Sequence, residues 1–166
     1  ITHLMEENKT EFILLHVYWI IILIDLKKIF ISSDHAGYNL KENIKKYLKL
    51  KKINYSDLGP SSSKKVDYPI YAHKLAKQVK KSEKNVGILV CGSGTGMCIT
   101  ANKHKNIRAA QCFSVKSTRL SRLHNDANVI TLGSRLINKK KACSFVNIFL
   151  NTKFEGGRHK SRIRRI

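Results

Sequence analysis

The sequence predicts a single α/β domain: a doubly wound sheet of five parallel strands with helices on both faces, layered α/β/α. Three observations carry that expectation. Short apolar runs recur along residues 27–152, and an amphipathic stretch follows each one. The runs read as strands buried on both sides, which is what a parallel sheet covered by helices demands. Length agrees, because 166 residues enclose one core of this kind and leave room for little else.

In chain order, KIFIS (28–32), INYSDL (53–58), VGILVC (86–91), RAAQCF (108–113) and NVITLG (128–133) read as strands. Between them Tyr38, Ile44, Tyr47, Leu48 and Leu50 form a loose helical stripe, and residues 70–79 form a second. Ser114 is placed to cap a helix marked by Leu120 and Leu123, and residues 137–150 close the series. Each parallel crossover needs a helix to bring the chain back right-handed, so the arrangement is Rossmann-like. No repeat or linker interrupts residues 27–152.

Residues 27–166 are therefore expected to form the domain, and residues 1–26 a dispensable extension outside it. Within the extension, residues 12–24 are apolar but shorter than the roughly twenty residues of a spanning helix. The segment before them is acidic, whereas a secretory leader begins basic. No membrane partner is expected.

Lys and Arg number 32 against 11 Asp and Glu, a formal charge of +21. The excess is mostly Lys, is scattered, and accompanies many Ile and Asn, as biased coding composition would produce. A solvated lysine surface is thus expected in preference to a nucleic-acid site, with a noncatalytic polyanion-binding protein as the rival from another class. The four cysteines, Cys91, Cys98, Cys112 and Cys143, form no CxxC pair and no close-spaced Cys/His set. Neither zinc nor a disulfide framework is suggested, and reduced thiols in a cytoplasmic compartment are expected. Cys98, Cys112 and Cys143 fall in apolar surroundings and are assigned to the core.

Ligands of doubly wound sheets collect beyond the carboxyl ends of the strands. There the sequence places Ser33-Asp34-His35, then Cys91-Gly92-Ser93-Gly94-Thr95-Gly96, then Gly133-Ser134-Arg135. The glycine turn aims backbone N–H groups at a common point, an anion cradle, although such glycines also arise from tight packing alone. It lacks the Lys-Ser/Thr ending of a phosphate loop and the GxGxxG spacing, so a nucleotide site is not supported. Cys91, beside a helix start, suits a base or nucleophile near neutral pH. Asp34 and His35 are either site groups or a turn and helix cap, with Gly37 easing the backbone. His124, with Asn125 and Asp126 placed to fix its tautomer, is expected at the same sheet edge as Asp34, His35 and Cys91. Arg158 and Arg162, four apart, share one face of a helical turn in a spacing that suits phosphate, with a frayed basic tail as the alternative.

Seven segments in order, SDHAG (33–37), DYP (67–69), CGSGTG (91–96), ANKHKNIRAA (101–110), SRLHNDANV (121–129), LGSR (132–135) and EGGRHKSRI (155–163), resemble the B-type ribose 5-phosphate isomerases. That family is shared with the galactose 6-phosphate isomerase subunits. The resemblance implies a metal-independent aldose-ketose isomerase without cofactor, a phosphorylated sugar as substrate, and a homodimer or dimer of dimers with shared active sites. It makes Cys91 the base that moves a proton through an enediolate, and His124 the group that opens the sugar ring. It gives the oxyanion to the N–H groups of Gly92, Ser93, Gly94, Thr95 and Gly96 with the Ser93 hydroxyl. Asp34 and His35 would touch the sugar hydroxyls and ring oxygen, Tyr68 would line the pocket, and Asn125 and Arg135 would bind substrate. Arg158 and Arg162 match the phosphate clamp. Some members carry a Glu base just after the last glycine of the turn; here that position is Met97, which leaves Cys91. Pentose 5-phosphate is the expected substrate, with a hexose 6-phosphate of galactose or allose type as the alternative.

Overall fold

The computed structural model describes residues 27–166; the expectations for residues 1–26 lie outside the described residues. Five parallel strands run as β1 (Ile29–Ser33), β2 (Ser56–Asp57), β3 (Val86–Cys91), β4 (Ala109–Gln111) and β5 (Val129–Gly133). Six helices follow them: α1 (Tyr38–Leu50), α2 (Tyr68–Val79), α3 (Thr95–Ala101), α4 (Val115–Leu123), α5 (Lys139–Asn151) and α6 (Arg158–Ile163). The spatial order is β2-β1-β3-β5-β4. The chain first steps outward from β1 to β2, then crosses back over β1 to β3, so the winding reverses between β1 and β3. Ile31 pairs with Ile88, and Ile88 with Ile130, which aligns the three central strands in one register.

Alternate side chains of those strands enter two separate cores, as the two-residue period of a strand requires. Val86, Ile88, Val90, Ile130 and Leu132 pack under α1 and α5, against Leu40, Ile44, Leu48, Phe145 and Phe149. Phe30, Leu89, Cys91 and Val129 face the opposite way, against Leu75, Ala76 and Val79 of α2 and Met97 of α3. Gly87 sits where a Cβ would meet the Leu75 side chain at 2.4 Å, so a glycine here lets α2 lie close on the sheet. The expected sheet with helices on both faces is the one observed.

The edge strands differ from expectation. β1, β3 and β5 are buried throughout, but β2 shrinks to two exposed residues and β4 to three half-buried ones. An edge strand has one neighbour only, and Ile53 and Tyr55 spend their apolar surface on the helical core instead of extending the ladder. On α1 the inward face is Leu40, Lys41, Ile44 and Leu48, while Leu50 is 82% exposed. Leu50 lies two residues beyond Leu48, about half a turn around the helix.

Lys41 is the unexpected member of that face, fully buried with its ammonium group donating to both Asp57 oxygens at 2.9 Å and to the Pro60 carbonyl at 2.7 Å. It ties the start of α1 to edge strand β2. Burial alone would raise the Asp57 carboxyl, but hydrogen bonds from Lys45, the Gly59 N–H and Lys41 outweigh it and hold the group below the usual carboxylate range. The helix starts follow the sequence: Ser114 and Ser117 form a reciprocal capping box on α4, and Asn138 caps α5 through the Lys141 N–H. All four thiols are free; Cys112 is buried as expected, whereas Cys98 and Cys143 are only half-buried. Burial pushes the thiols of Cys98, Cys112 and Cys143 up. Among the described residues no helix is long and apolar enough to cross a membrane.

Candidate active site

Three turns meet at the carboxyl edge of the sheet, where β1, β3 and β5 end. The Asp34 N–H donates to the Val90 carbonyl at 3.1 Å, the Ser134 N–H to Cys91 at 2.8 Å, and the Arg135 N–H to Gly92 at 3.0 Å. The Ser134 hydroxyl donates to the Ala36 carbonyl at 2.9 Å and closes the ring of contacts. Cys91, the last residue of β3, is 5% exposed, and its Sγ accepts the Gly94 N–H at 3.1 Å. Gly94 has φ of +84°, a left-handed conformation that turns this N–H back toward the sulfur at low steric cost. The Ser93 hydroxyl accepts the Thr95 N–H at 3.3 Å.

Asp34 is buried, and its Oδ1 accepts the Gly37 N–H at 2.8 Å. Gly37 has an ordinary φ of −85°, so its role is space and not backbone freedom. A Cβ there would stand 2.2 Å from the Val90 carbonyl oxygen. His35 Nδ1 engages the Val66 backbone, 3.0 Å from its carbonyl oxygen and 3.3 Å from its N–H, the tautomer deciding which contact is made. Tyr68 begins α2 and lays its ring over Gly96, and the Arg135 guanidinium lies over Gly92. Gln111 at the end of β4 completes the support: its Nε2 donates to the Ser93 carbonyl at 2.8 Å and its Oε1 accepts from the Thr95 hydroxyl at 3.2 Å. Sequence reasoning missed Gln111, whose signal was a lone amide in the otherwise apolar run RAAQCF.

His124 is not at this edge. It caps the carboxyl end of α4, five residues before β5 begins, whereas Cys91 pairs with Gly133 where β5 ends. In a parallel sheet the residues before a strand lie at the amino edge, so about 15 Å of strand separates His124 from Cys91 within one chain. The expectation that Asp34, His35, Cys91 and His124 share an edge is corrected accordingly. Asn125, Arg158 and Arg162 belong with His124, and Asp34, His35, Tyr68, residues 91–96 and Arg135 with Cys91.

At the amino edge His124 stacks on His159, with centroids 4.2 Å apart and planes 8° from parallel. Its Nε2 lies 3.7 Å from Glu155 Oε2, and the Glu155 N–H donates to the Leu123 carbonyl at 3.1 Å. The Asp126 carboxylate, expected with Asn125 to hold His124, is engaged elsewhere. The Asn125 carbonyl accepts from Arg108, and the Asp126 carboxylate pairs with Arg108 at 2.9 Å and Arg122 at 2.8 Å. Burial, and then the neighbouring His124, hold the His159 imidazole below the ordinary histidine value. Arg158 and Arg162 are exposed on α6 at helical i, i+4 spacing. No metal-ligand set is visible in sequence spacing, yet the fold brings one donor atom each of His124, Glu155 and His159 within 4.8 Å of one another.

Together these features define a doubly wound α/β protein that seats a buried thiol on a glycine turn at the winding reversal. A family model described as Ribose/Galactose Isomerase matches residues 29–166. A probable ribose-5-phosphate isomerase B of Mycoplasma genitalium is 46% identical over 140 residues, covering 83% of this chain and 92% of that protein. Ribose-5-phosphate isomerase B of Escherichia coli is 42% identical over 141 residues, covering 85% and 95%. Among solved structures, ribose 5-phosphate isomerase B of Thermotoga maritima superposes with a TM-score of 0.81 at 47% identity, covering 84% of this chain and 96% of the other. The chain belongs to the ribose/galactose isomerase family.

Proposed function

We propose that the protein interconverts ribose 5-phosphate and ribulose 5-phosphate, with Cys91 as the base. The observation that carries this reading is Cys91 Sγ, seated on the glycine turn at the winding reversal and receiving the Gly94 N–H. The position after Gly96 is Met97, fully buried and unable to take a proton. Family membership and the ribose-5-phosphate isomerases among its relatives support the same reading.

His124 moves a proton from the anomeric hydroxyl to the ring oxygen, and the C1–O bond of the furanose breaks. The Cys91 thiolate then takes the proton from C2 of the open aldose, leaving an enediolate whose negative charge lies on the former carbonyl oxygen. Ser93 and the N–H groups of the 92–96 turn, apart from those of Gly94 and Thr95 that bond Cys91 Sγ and the Ser93 hydroxyl, face that charge, which supplies the electrophilic role without a metal. The C2 hydroxyl proton passes to O1, Cys91 returns its proton to C1, and the ketose results. Asp34, His35 and Tyr68 surround the sugar, Asn125 and Arg135 bind it, and Arg158 and Arg162 hold the phosphate.

Because one chain separates the thiol from the imidazole by the length of the sheet, the reading requires two copies. The carboxyl edge of one supplies Cys91 and the amino edge of the other supplies His124. The four free thiols support a reducing, cytoplasmic setting. Coupled turnover of ribose 5-phosphate against allose and galactose 6-phosphates by the purified chain tests the substrate. Cys91→Ala should lose about 10² to 10⁴ in rate, and retention of more than about a tenth of turnover would remove Cys91 from the mechanism.

A further inference from the structure

We propose that His124, Glu155 and His159 form a binding site for a divalent transition-metal ion of the zinc class, at the amino edge of the sheet. One donor atom from each residue lies within 4.8 Å of the other two, and His124 Nε2 is already 3.7 Å from Glu155 Oε2. Two imidazoles and one carboxylate are a recurrent protein set for zinc, with bonds near 2.0 to 2.2 Å that place neighbouring donors roughly 3.3 Å apart. To meet that geometry the cluster must contract by about an ångström, and His124 must turn out of its parallel stack on His159, because imidazole lone pairs lie in the ring planes. Glu155, whose side chain is 58% exposed, and His124, 37% exposed, have the freedom to do so.

A second observation points to the same place. His159 is 6% exposed, and its Nε2 is buried with no hydrogen-bond partner among protein atoms. A buried imidazole nitrogen without a partner is costly, and a metal or an ordered water removes the cost. The backbone holds the set in place: the Glu155 N–H bonds Leu123, next to His124, and the His159 N–H bonds Gly156 at 3.0 Å. Nitrogen and oxygen donors without a thiolate suit zinc, nickel or cobalt, and a single carboxylate among imidazoles suits neither calcium nor magnesium. Arg158 and Arg162 nearby oppose a cation, so binding belongs in the micromolar range rather than with structural zinc.

The consequence for catalysis rests on the proposed role of His124. A metal on its imidazole occupies the lone pair that opens the sugar ring, so the ion inhibits isomerisation and a chelator restores it.

Tag-free, full-length protein is titrated with zinc by calorimetry and with cobalt by absorption. The expected result is one ion per chain, without the charge-transfer band of a cobalt thiolate. Glu155→Gln removes the anionic donor, and His159→Phe keeps the stack on His124 while removing the nitrogen. Each should weaken binding by more than about tenfold, since even outer-shell partners of a metal are worth 10- to 100-fold. Melting without metal checks that both variants fold, and Glu155→Gln at the surface carries the test if His159→Phe does not. The double variant His73→Gln/His104→Gln removes the other imidazole pair, joined at 2.7 Å, and should bind as the parent does. Absence of stoichiometric binding, or binding undiminished in Glu155→Gln, overturns the site. Stoichiometric binding that leaves ribose 5-phosphate turnover unchanged upholds the site and overturns the ring-opening role of His124, so the two readings fail separately.

Discussion

At the carboxyl edge of the sheet, each candidate residue except Tyr68 follows a strand closely and sits on a turn held by backbone. The turns after β1, β3 and β5 hydrogen-bond to one another, and Gly37, Gly92 and Gly133 let them approach. The amino edge is built differently. There His124 meets Glu155 and His159 from the far end of the chain, through a ring stack and a loose ion pair, with the arginines of α6 standing in solvent. Rigid turns suit a reacting centre, where displacement of a base is costly, and exposed side chains suit capture of a mobile, charged end of a ligand. Neither edge holds both a thiol and the stacked imidazole, so the proposed chemistry requires a site shared between copies.

The strongest way to break this comparison is complementation. Cys91→Ala and His124→Ala are each expected to lose about 10² to 10⁴ in rate. After subunit exchange in an equal mixture, a two-fold homodimer with shared sites regains about a quarter of parental activity, because half the dimers are mixed and each mixed dimer has one intact site. A mixture that stays inactive after verified exchange would place the whole site within one chain.

Next in size is the contrast between two glycines. Gly37→Ala drives a Cβ to 2.2 Å from the Val90 carbonyl oxygen, and such overpacking costs about 1 to 3 kcal/mol or more. Gly156→Ala at the amino edge meets nothing within 4 Å but keeps a φ of +74°, which costs about 1 to 2 kcal/mol. Urea midpoints of the two variants should rank in that order, and only Gly37→Ala should also lose turnover through displacement of the Asp34 turn. Equal loss of stability would show that the carboxyl edge is no more tightly packed than the amino edge.

Arg158→Ala and Arg162→Ala should leave the melting temperature unchanged, since both side chains are exposed. Each should raise KM for ribose 5-phosphate by roughly tenfold, the loss of one charge-assisted contact to phosphate. Wild-type KM in the double variant would move the phosphate to Arg135 or to the glycine turn.

The smallest effect is on stability against pH. His159 is held below its ordinary value of 6.5, so the unfolded chain takes up that proton first. Its contribution is complete above about pH 6.5 and declines as pH falls below it. Asp57, held below 3.8, contributes above that value and loses its contribution only as pH falls further. Melting temperature against pH should therefore fall in two separate stages, and His159→Phe should lessen the upper one without touching the lower, the remainder belonging to His104, which burial also holds below 6.5.

Much of this could be read along the chain. The central strands, the cap at Ser114, and the carboxyl-edge residues Asp34, Cys91 and Arg135 are local features, set by periodicity and by what directly follows a strand. Even the edge occupied by His124 follows from a local rule, since it precedes β5 and therefore lies at the opposite end from Cys91. Glu155 and His159 lie beside the arginines in EGGRHKSRI, but nothing in their spacing shows that they meet His124.

By itself, then, the amino-acid sequence determined the α/β class, the order of elements and the residues at the strand tips, because a two- or 3.6-residue period is a local property. Only the tertiary structure decided the strand order β2-β1-β3-β5-β4 and the shrinkage of β2 and β4 at the edges. It alone buried Lys41 on Asp57 and stacked His124 on His159. Those outcomes depend on which distant segments are neighbours, and that is settled when whole faces pack together and every buried polar group must find a partner.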